Sequence, residues 1–112
     1  MDLTSLAGAE PFVTKDGSTI RELHHTGHQS LAEASVAAGG TTERHYHVRS
    51  EEIYFVLEGE GQLEIDGEQR TVRPGDAALI PAGARHAVTA TADLRFLCCC
   101  SPAYSHDDTY FD

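Results

Sequence analysis

Positive charge is scarce in this chain, with 8 lysines and arginines against 18 aspartates and glutamates and a formal net charge of -10. Nucleic acids and anionic membrane surfaces are bound through basic patches, so this balance argues against both as partners. Long apolar runs are missing as well. No segment approaches the roughly 18 consecutive apolar residues of a membrane span. The N-terminal stretch MDLTSLAGAEPFVTKDG lacks the basic start and unbroken apolar core of a signal peptide. Cysteine occurs only as the adjacent trio Cys98, Cys99 and Cys100. Three neighbours cannot build an ordinary disulfide framework, and an odd, clustered set suits a reducing compartment. The expected location is therefore the cytoplasm. Ser/Gly linkers, low-complexity tracts and internal repeats are also absent. At 112 residues the chain reads as one domain, 1–112. A domain this small gains from covering its remaining apolar surface in an oligomer.

Helix signals are poor. The best helical stretch, Ser30 to Gly40, also alternates, with Leu31, Glu33, Ser35 and Ala37 opposing Ala32, Ala34, Val36 and Ala38. It stops at Gly39-Gly40, a breaker pair, and is expected as a strand despite its alanines. VTKD and STIREL flank Gly17 as an N-terminal hairpin, so strands are expected across 11–38. Further short runs follow between turn signals: RHYHV, EEIYFVLEG, QLEID, EQRTV, AALIP, HAVTA and LRFLCCC. Asp66-Gly67 is a hairpin signal, and Pro74-Gly75-Asp76 closes the next strand. Many short strands at regular spacing predict an all-β sandwich or barrel. The polar tail, 101–112, is expected to wrap the outside.

His45 and His47 lie two apart in an expected strand, and side chains at i and i+2 share a face. Glu52 heads the next strand, and His86 follows the turn Pro81-Ala82-Gly83. Three imidazoles and one carboxylate suit Mn, Fe, Co, Ni, Cu or Zn and are wrong for calcium. Glu51 is one residue out of phase and would point the other way, which makes it an exposed acid.

The wider spacing is more specific than the ligands alone. Gly39 is followed by five residues, His45-Tyr46-His47, four residues, Glu52, six residues and Gly59. Sixteen positions on comes Gly75, then five residues, Pro81, one residue, Gly83, two residues and His86. Here the chain resembles the cupin superfamily, specifically its compact single-domain bacterial members. The first motif falls at 39–59 and the second at 75–90. The familiar second motif ends in an asparagine where this chain has Ala90, a departure outside the ligand set. The resemblance implies a small antiparallel β-barrel of the double-stranded β-helix or jelly-roll type. It also implies one divalent transition metal held by His45, His47, Glu52 and His86, the four residues that spacing had already brought together. Four protein ligands leave an octahedral ion two open positions for a substrate.

Tyr54 and Val56 share the parity of Glu52 and are expected to line the cavity, with Tyr54 as the candidate catalytic hydroxyl. Its competing reading is a core tyrosine. Ile53, Phe55 and Leu57 are apolar on the opposite face. A strand apolar on both faces is covered on both, which predicts a homodimer, as does the resemblance. In QLEI, Leu63 and Ile65 should face inward, although the reverse register would bring Gln62 to the metal. Cys98 and Cys100 share a face opposite Cys99 and read as small hydrophobes. His24, His25, His28 and His106 read as solvated loop residues, with a proton relay as the alternative. The functional expectation is an enzyme acting on a small oxygen-bearing organic molecule bound to the metal, by isomerase, cyclase, lyase or dioxygenase chemistry. The alternative is a non-catalytic module that binds or senses a small molecule or the metal.

Overall fold

The computed structural model describes all 112 residues. Nine strands follow one another: β1 (Phe12–Val13), β2 (Thr19–His25), β3 (Ser30–Val36), β4 (Glu51–Glu58), β5 (Gly61–Ile65), β6 (Glu68–Val72), β7 (Ala77–Ile80), β8 (His86–Ala90) and β9 (Leu94–Ser101). The only helical pieces are single 3-10 turns at Leu6–Gly8 and His106–Asp108. A six-stranded sheet runs β1-β2-β3-β9-β4-β7 and a three-stranded sheet runs β6-β5-β8, every pairing antiparallel. Together they form the small antiparallel barrel that the strand pattern predicted.

Local chemistry sets the corners. Asp66 and Gly67 both take positive φ, 48° and 90°, which is the two-residue turn whose twist matches the β5–β6 hairpin. Gly59, the last glycine of the first motif, has φ 86°, and a Cβ there would lie 2.0 Å from the carbonyl oxygen of Asp93. Only glycine can occupy that approach.

Register then divides each strand into two faces. On β4, Glu52, Tyr54 and Val56 are buried, while Glu51, Ile53 and Phe55 are exposed. Cross-strand pairs Glu52↔Cys100, Tyr54↔Cys98 and Val56↔Phe96 carry that inner face onto β9. Ser30↔Cys100, Ala32↔Cys98 and Ala34↔Phe96 extend it to β3. The alanine-rich β3 is a strand because its alternation supplies small inward residues where the sheets approach, and tertiary packing overrides alanine's helix preference. Its outward Glu33 is nevertheless buried, held by Arg95 Nη1 at 2.6 Å. Val56, Leu63, Ile80, Val88, Leu94 and Phe96 belong to one buried apolar cluster between the sheets. Each such side chain contributes about 1.5–3 kcal/mol on leaving water.

Two expectations need correction. RHYHV is not a continuous strand: only isolated bridges form there, His45↔His86 and Tyr46↔Tyr110. The reason is that consecutive residues bond to different neighbours, His45 to β8 and Tyr46 to the C-terminal tail. That tail does not simply wrap the outside. Asp108 and Thr109 are buried, and the Asp108 carboxylate accepts the backbone N–H groups of Val48, Arg49 and Ser50 at 3.1–3.2 Å. It thereby fixes the bend that joins His47 to β4.

Candidate metal centre

Four buried side chains from three segments meet inside the barrel. The His45–Ser50 segment supplies His45 and His47, β4 supplies Glu52 and β8 supplies His86. All four are buried, and one donor atom from each lies within 4.8 Å of the others. The sequence-expected ligand set is therefore brought together in full. Glu51 points outward and is exposed, as its parity required.

Hydrogen bonding at the back of each ring determines what the front can do. His45 Nδ1 lies 2.8 Å from the carbonyl of Glu43, His86 Nδ1 2.9 Å from that of Ala84, and His47 Nδ1 3.0 Å from that of Asp108. A carbonyl only accepts, so Nδ1 carries the proton in all three rings. Each neutral imidazole then turns an Nε2 lone pair inward. Glu52 Oε1 sits 2.9 Å from His47 Nε2 and 3.1 Å from His86 Nε2. These are hydrogen-bond distances without hydrogen-bond directions, and neither Glu52 Oε1 nor His86 Nε2 has a partner.

Buried acceptors facing one another are costly unless a cation lies between them. Bonds of about 2.0–2.2 Å meeting at right angles give donor–donor edges of about 3.0 Å, which matches both contacts. The donor set thus fits a transition metal ion. Burial lowers the pKa of His45, and the adjacent His86 adds to that effect. For His47 burial also lowers it, but Glu52 more than compensates and the net direction is upward. Burial would raise the Glu52 carboxyl, yet His47 and His86 hold it well below the usual carboxylate range.

The other oxygen of Glu52 has different company. Cys98 Sγ donates to Oε2 at 2.9 Å and Cys100 Sγ at 3.3 Å, and the two sulfurs are 4.0 Å apart. The cysteines are thus hydrogen-bonded members of the site and more than apolar filling. Cys100 beside it, then burial, push the Cys98 thiol well up, so it stays a neutral donor.

Around this centre lies a cavity of about 50 Å³. Tyr54 lines it, packs edge-on to His86 at 5.9 Å and against Phe96 at 4.5 Å. Burial, with the charge of Glu52, keeps its hydroxyl protonated. Asp16, Glu22 and Tyr104 are among the lining residues that the sequence did not anticipate. Asp16, from the β1–β2 turn, places Oδ2 3.7 Å from His45 Nε2, while Glu22 and Tyr104 close the wall. Asp16 directly precedes the turn glycine Gly17, a weak signal, while nothing in the spacing marks Asp108 or Tyr104. Gln62 points away, donating to Thr71 Oγ1 at 2.6 Å, and Leu63 takes the inward position. His24, His25, His28 and His106 stay outside the cavity lining, His25 bonding Glu22 and His106 bonding Tyr104.

Residues 32–100 match the family model described as a cupin domain. The chain belongs to the cupin family. This cupin is 46% identical over 107 residues to an uncharacterized protein of Methanocaldococcus jannaschii, a match covering 89% of this chain and 86% of that protein. It is 29% identical over 97 residues to an oxalate-binding protein of Thermotoga maritima, covering 85% and 80% of the two. Among solved structures it is similar to Pac13 of Streptomyces, a nucleoside dehydratase, with a TM-score of 0.83. That match covers 96% of this chain and 88% of Pac13 at 18% identity, a likeness of fold alone. No helix is long and apolar enough to cross a membrane.

Proposed function

We propose that this cupin binds one divalent transition metal ion (Mn, Fe, Co, Ni, Cu or Zn) through His45, His47, Glu52 and His86, and acts on a small oxygen-bearing organic molecule. The observation that carries this reading is the unpartnered pair Glu52 Oε1 and His86 Nε2, buried among inward-facing lone pairs. When bound, such an ion supplies Lewis acidity for isomerase, cyclase or lyase chemistry, and a redox-active one supplies dioxygenase-type chemistry.

The chain's own groups fill the remaining roles. Tyr54 presents a neutral hydroxyl to the cavity and is the candidate to hydrogen-bond a substrate oxygen. Phe12, Ile20 and Phe96 offer apolar walls that exclude water from the small carbon skeleton. Asp108 acts behind the site, its carbonyl fixing the His47 tautomer and its carboxylate fixing the bend that presents the ring.

A homodimer is part of the same reading. Ile53 and Leu79 pair across β4 and β7, and with Phe55 they leave an exposed apolar strip beside the edge strand β7. A second copy of this chain is the partner whose matching strip would cover it. Three free thiols suit a reducing compartment such as the cytoplasm.

Elemental analysis of dialysed protein tests the centre. After loading with manganese, wild type should retain about one ion per chain, and His47→Ala should lose it while keeping its β-sheet circular dichroism. A folded wild type unable to take up any of the six ions would sink the proposal. A binding or sensing role is the second reading, favoured by the small cavity and by the oxalate-binding relative. Incubating the loaded protein with small carboxylates, diketones and phenols separates the two. An enzyme consumes one of them, whereas a sensor returns it unchanged after a saturable binding signal.

A further inference from the structure

Glu52 divides the cavity between two sets of donors. Oε1 faces imidazole nitrogens, and Oε2 faces the sulfurs of Cys98 and Cys100. The second trio has its own geometry: Glu52 and Cys100 are buried, Cys98 is half-buried, and one donor atom from each lies within 4.8 Å of the others. We propose that Glu52 Oε2, Cys98 Sγ and Cys100 Sγ form a second metal site, selective for a soft d10 cation such as Zn(II), Cd(II) or Cu(I), with Glu52 bridging it to the histidine centre.

Distances and chemistry both point this way. Two thiolates bound at about 2.3 Å in a tetrahedron stand about 3.8 Å apart, and the sulfurs here are 4.0 Å apart. Strand register explains why they are ready. Cys100 lies directly opposite Glu52, and Cys98 lies opposite Tyr54, so alternation on β9 aims both sulfurs inward while Cys99 points out. Soft thiolates select Zn and Cu(I) over the harder ions that carboxylate and water favour. Thiols donating to Glu52 are replaced by thiolates sharing a cation with it. Both thiol protons leave to the buffer, and the two sulfur charges offset the charge of the second ion. The cavity wall contains both sulfurs.

This site shares Glu52 with the proposed histidine centre but does not rest on any reaction there. The test is titration of metal-free, reduced protein with cadmium chloride, following equivalents bound and the ultraviolet thiolate-to-cadmium charge-transfer band. Wild type should bind two equivalents per chain, one of which carries the band. Cys98→Ser/Cys100→Ser should bind one equivalent without the band, and Cys99→Ser should behave as wild type. His45→Ala/His86→Ala should keep the band and lose the other equivalent, so failure of the histidine centre is read separately. In wild type, a single equivalent without the band overturns the proposal. A single equivalent carrying the band also overturns it, because the sulfurs would then ligate the same ion as the histidines. Excess magnesium chloride should leave the cadmium band unchanged, and loss of the band to magnesium would contradict the claimed softness of the site.

Discussion

Glu51 and Glu52 are adjacent carboxylates on one strand, yet one stands in water and the other is 3% exposed among three imidazoles and two thiols. The same contrast runs along the sheet. Ile80 is 1% exposed and its neighbour Leu79 is 58% exposed, although both are aliphatic residues of β7. Residue type therefore says little about role here. The period of two along each strand assigns one residue to the site or core and the next to the exposed face.

Substituting both members of each pair is the sharpest way to break that comparison. Glu52→Gln keeps the shape and removes the charge. It should weaken zinc uptake more than about 100-fold by isothermal titration, beyond the 10–100-fold typical of a residue one step removed from the ion. Equal uptake by wild type and this variant would detach the carboxylate from the centre. Next in size, Ile80→Ala should cost about 2–5 kcal/mol in urea unfolding. Leu79→Ala should stay within about 0.5 kcal/mol, and similar losses from the two would contradict the two-faced reading of β7.

Asp108→Ala sharpens the comparison from outside the strands. It removes the acceptor for the N–H groups of Val48, Arg49 and Ser50, at a cost of about 1–3 kcal/mol. Manganese affinity should fall about 10–100-fold as His47 loses its fixed orientation. Unchanged affinity in a destabilised variant would reduce the tail to a purely structural role. A smaller, continuous effect comes from pH. Glu52 raises the proton affinity of His47 against the lowering effect of burial, and metal binding needs the neutral ring. Affinity should consequently fall as pH drops through that raised range, by about tenfold per unit for one displaced proton. A flat profile would mean that no imidazole proton is displaced. The smallest effect belongs to Glu51→Gln, expected within about 0.5 kcal/mol of wild-type stability with zinc uptake intact.

Much of this was legible in one dimension because its determinants are local. His45 and His47 share a face through their separation, Glu52 differs from Glu51 by parity, and Asp66-Gly67 names its own turn. The reading of Arg44 to Val48 as a strand went wrong because its bridges go to β8 and to the tail, partners that no local pattern specifies. Cys98 and Cys100 were correctly assigned to one face, but their pairing with Glu52 depends on the register between β4 and β9. Asp108 left no trace at all, since its carboxylate acts across 58–60 residues of chain.

The sequence by itself determined the barrel of short strands, the inward face of each, and the four residues able to converge on an ion. Those follow from alternation, turn chemistry and motif spacing, which are properties of neighbouring residues. Only the tertiary structure decided that the three rings expose Nε2, that sulfur stands behind Glu52, and that the tail secures His47. Each of these depends on hydrogen bonds or strand register between segments far apart in the chain, and that pairing exists only once the sheets have closed.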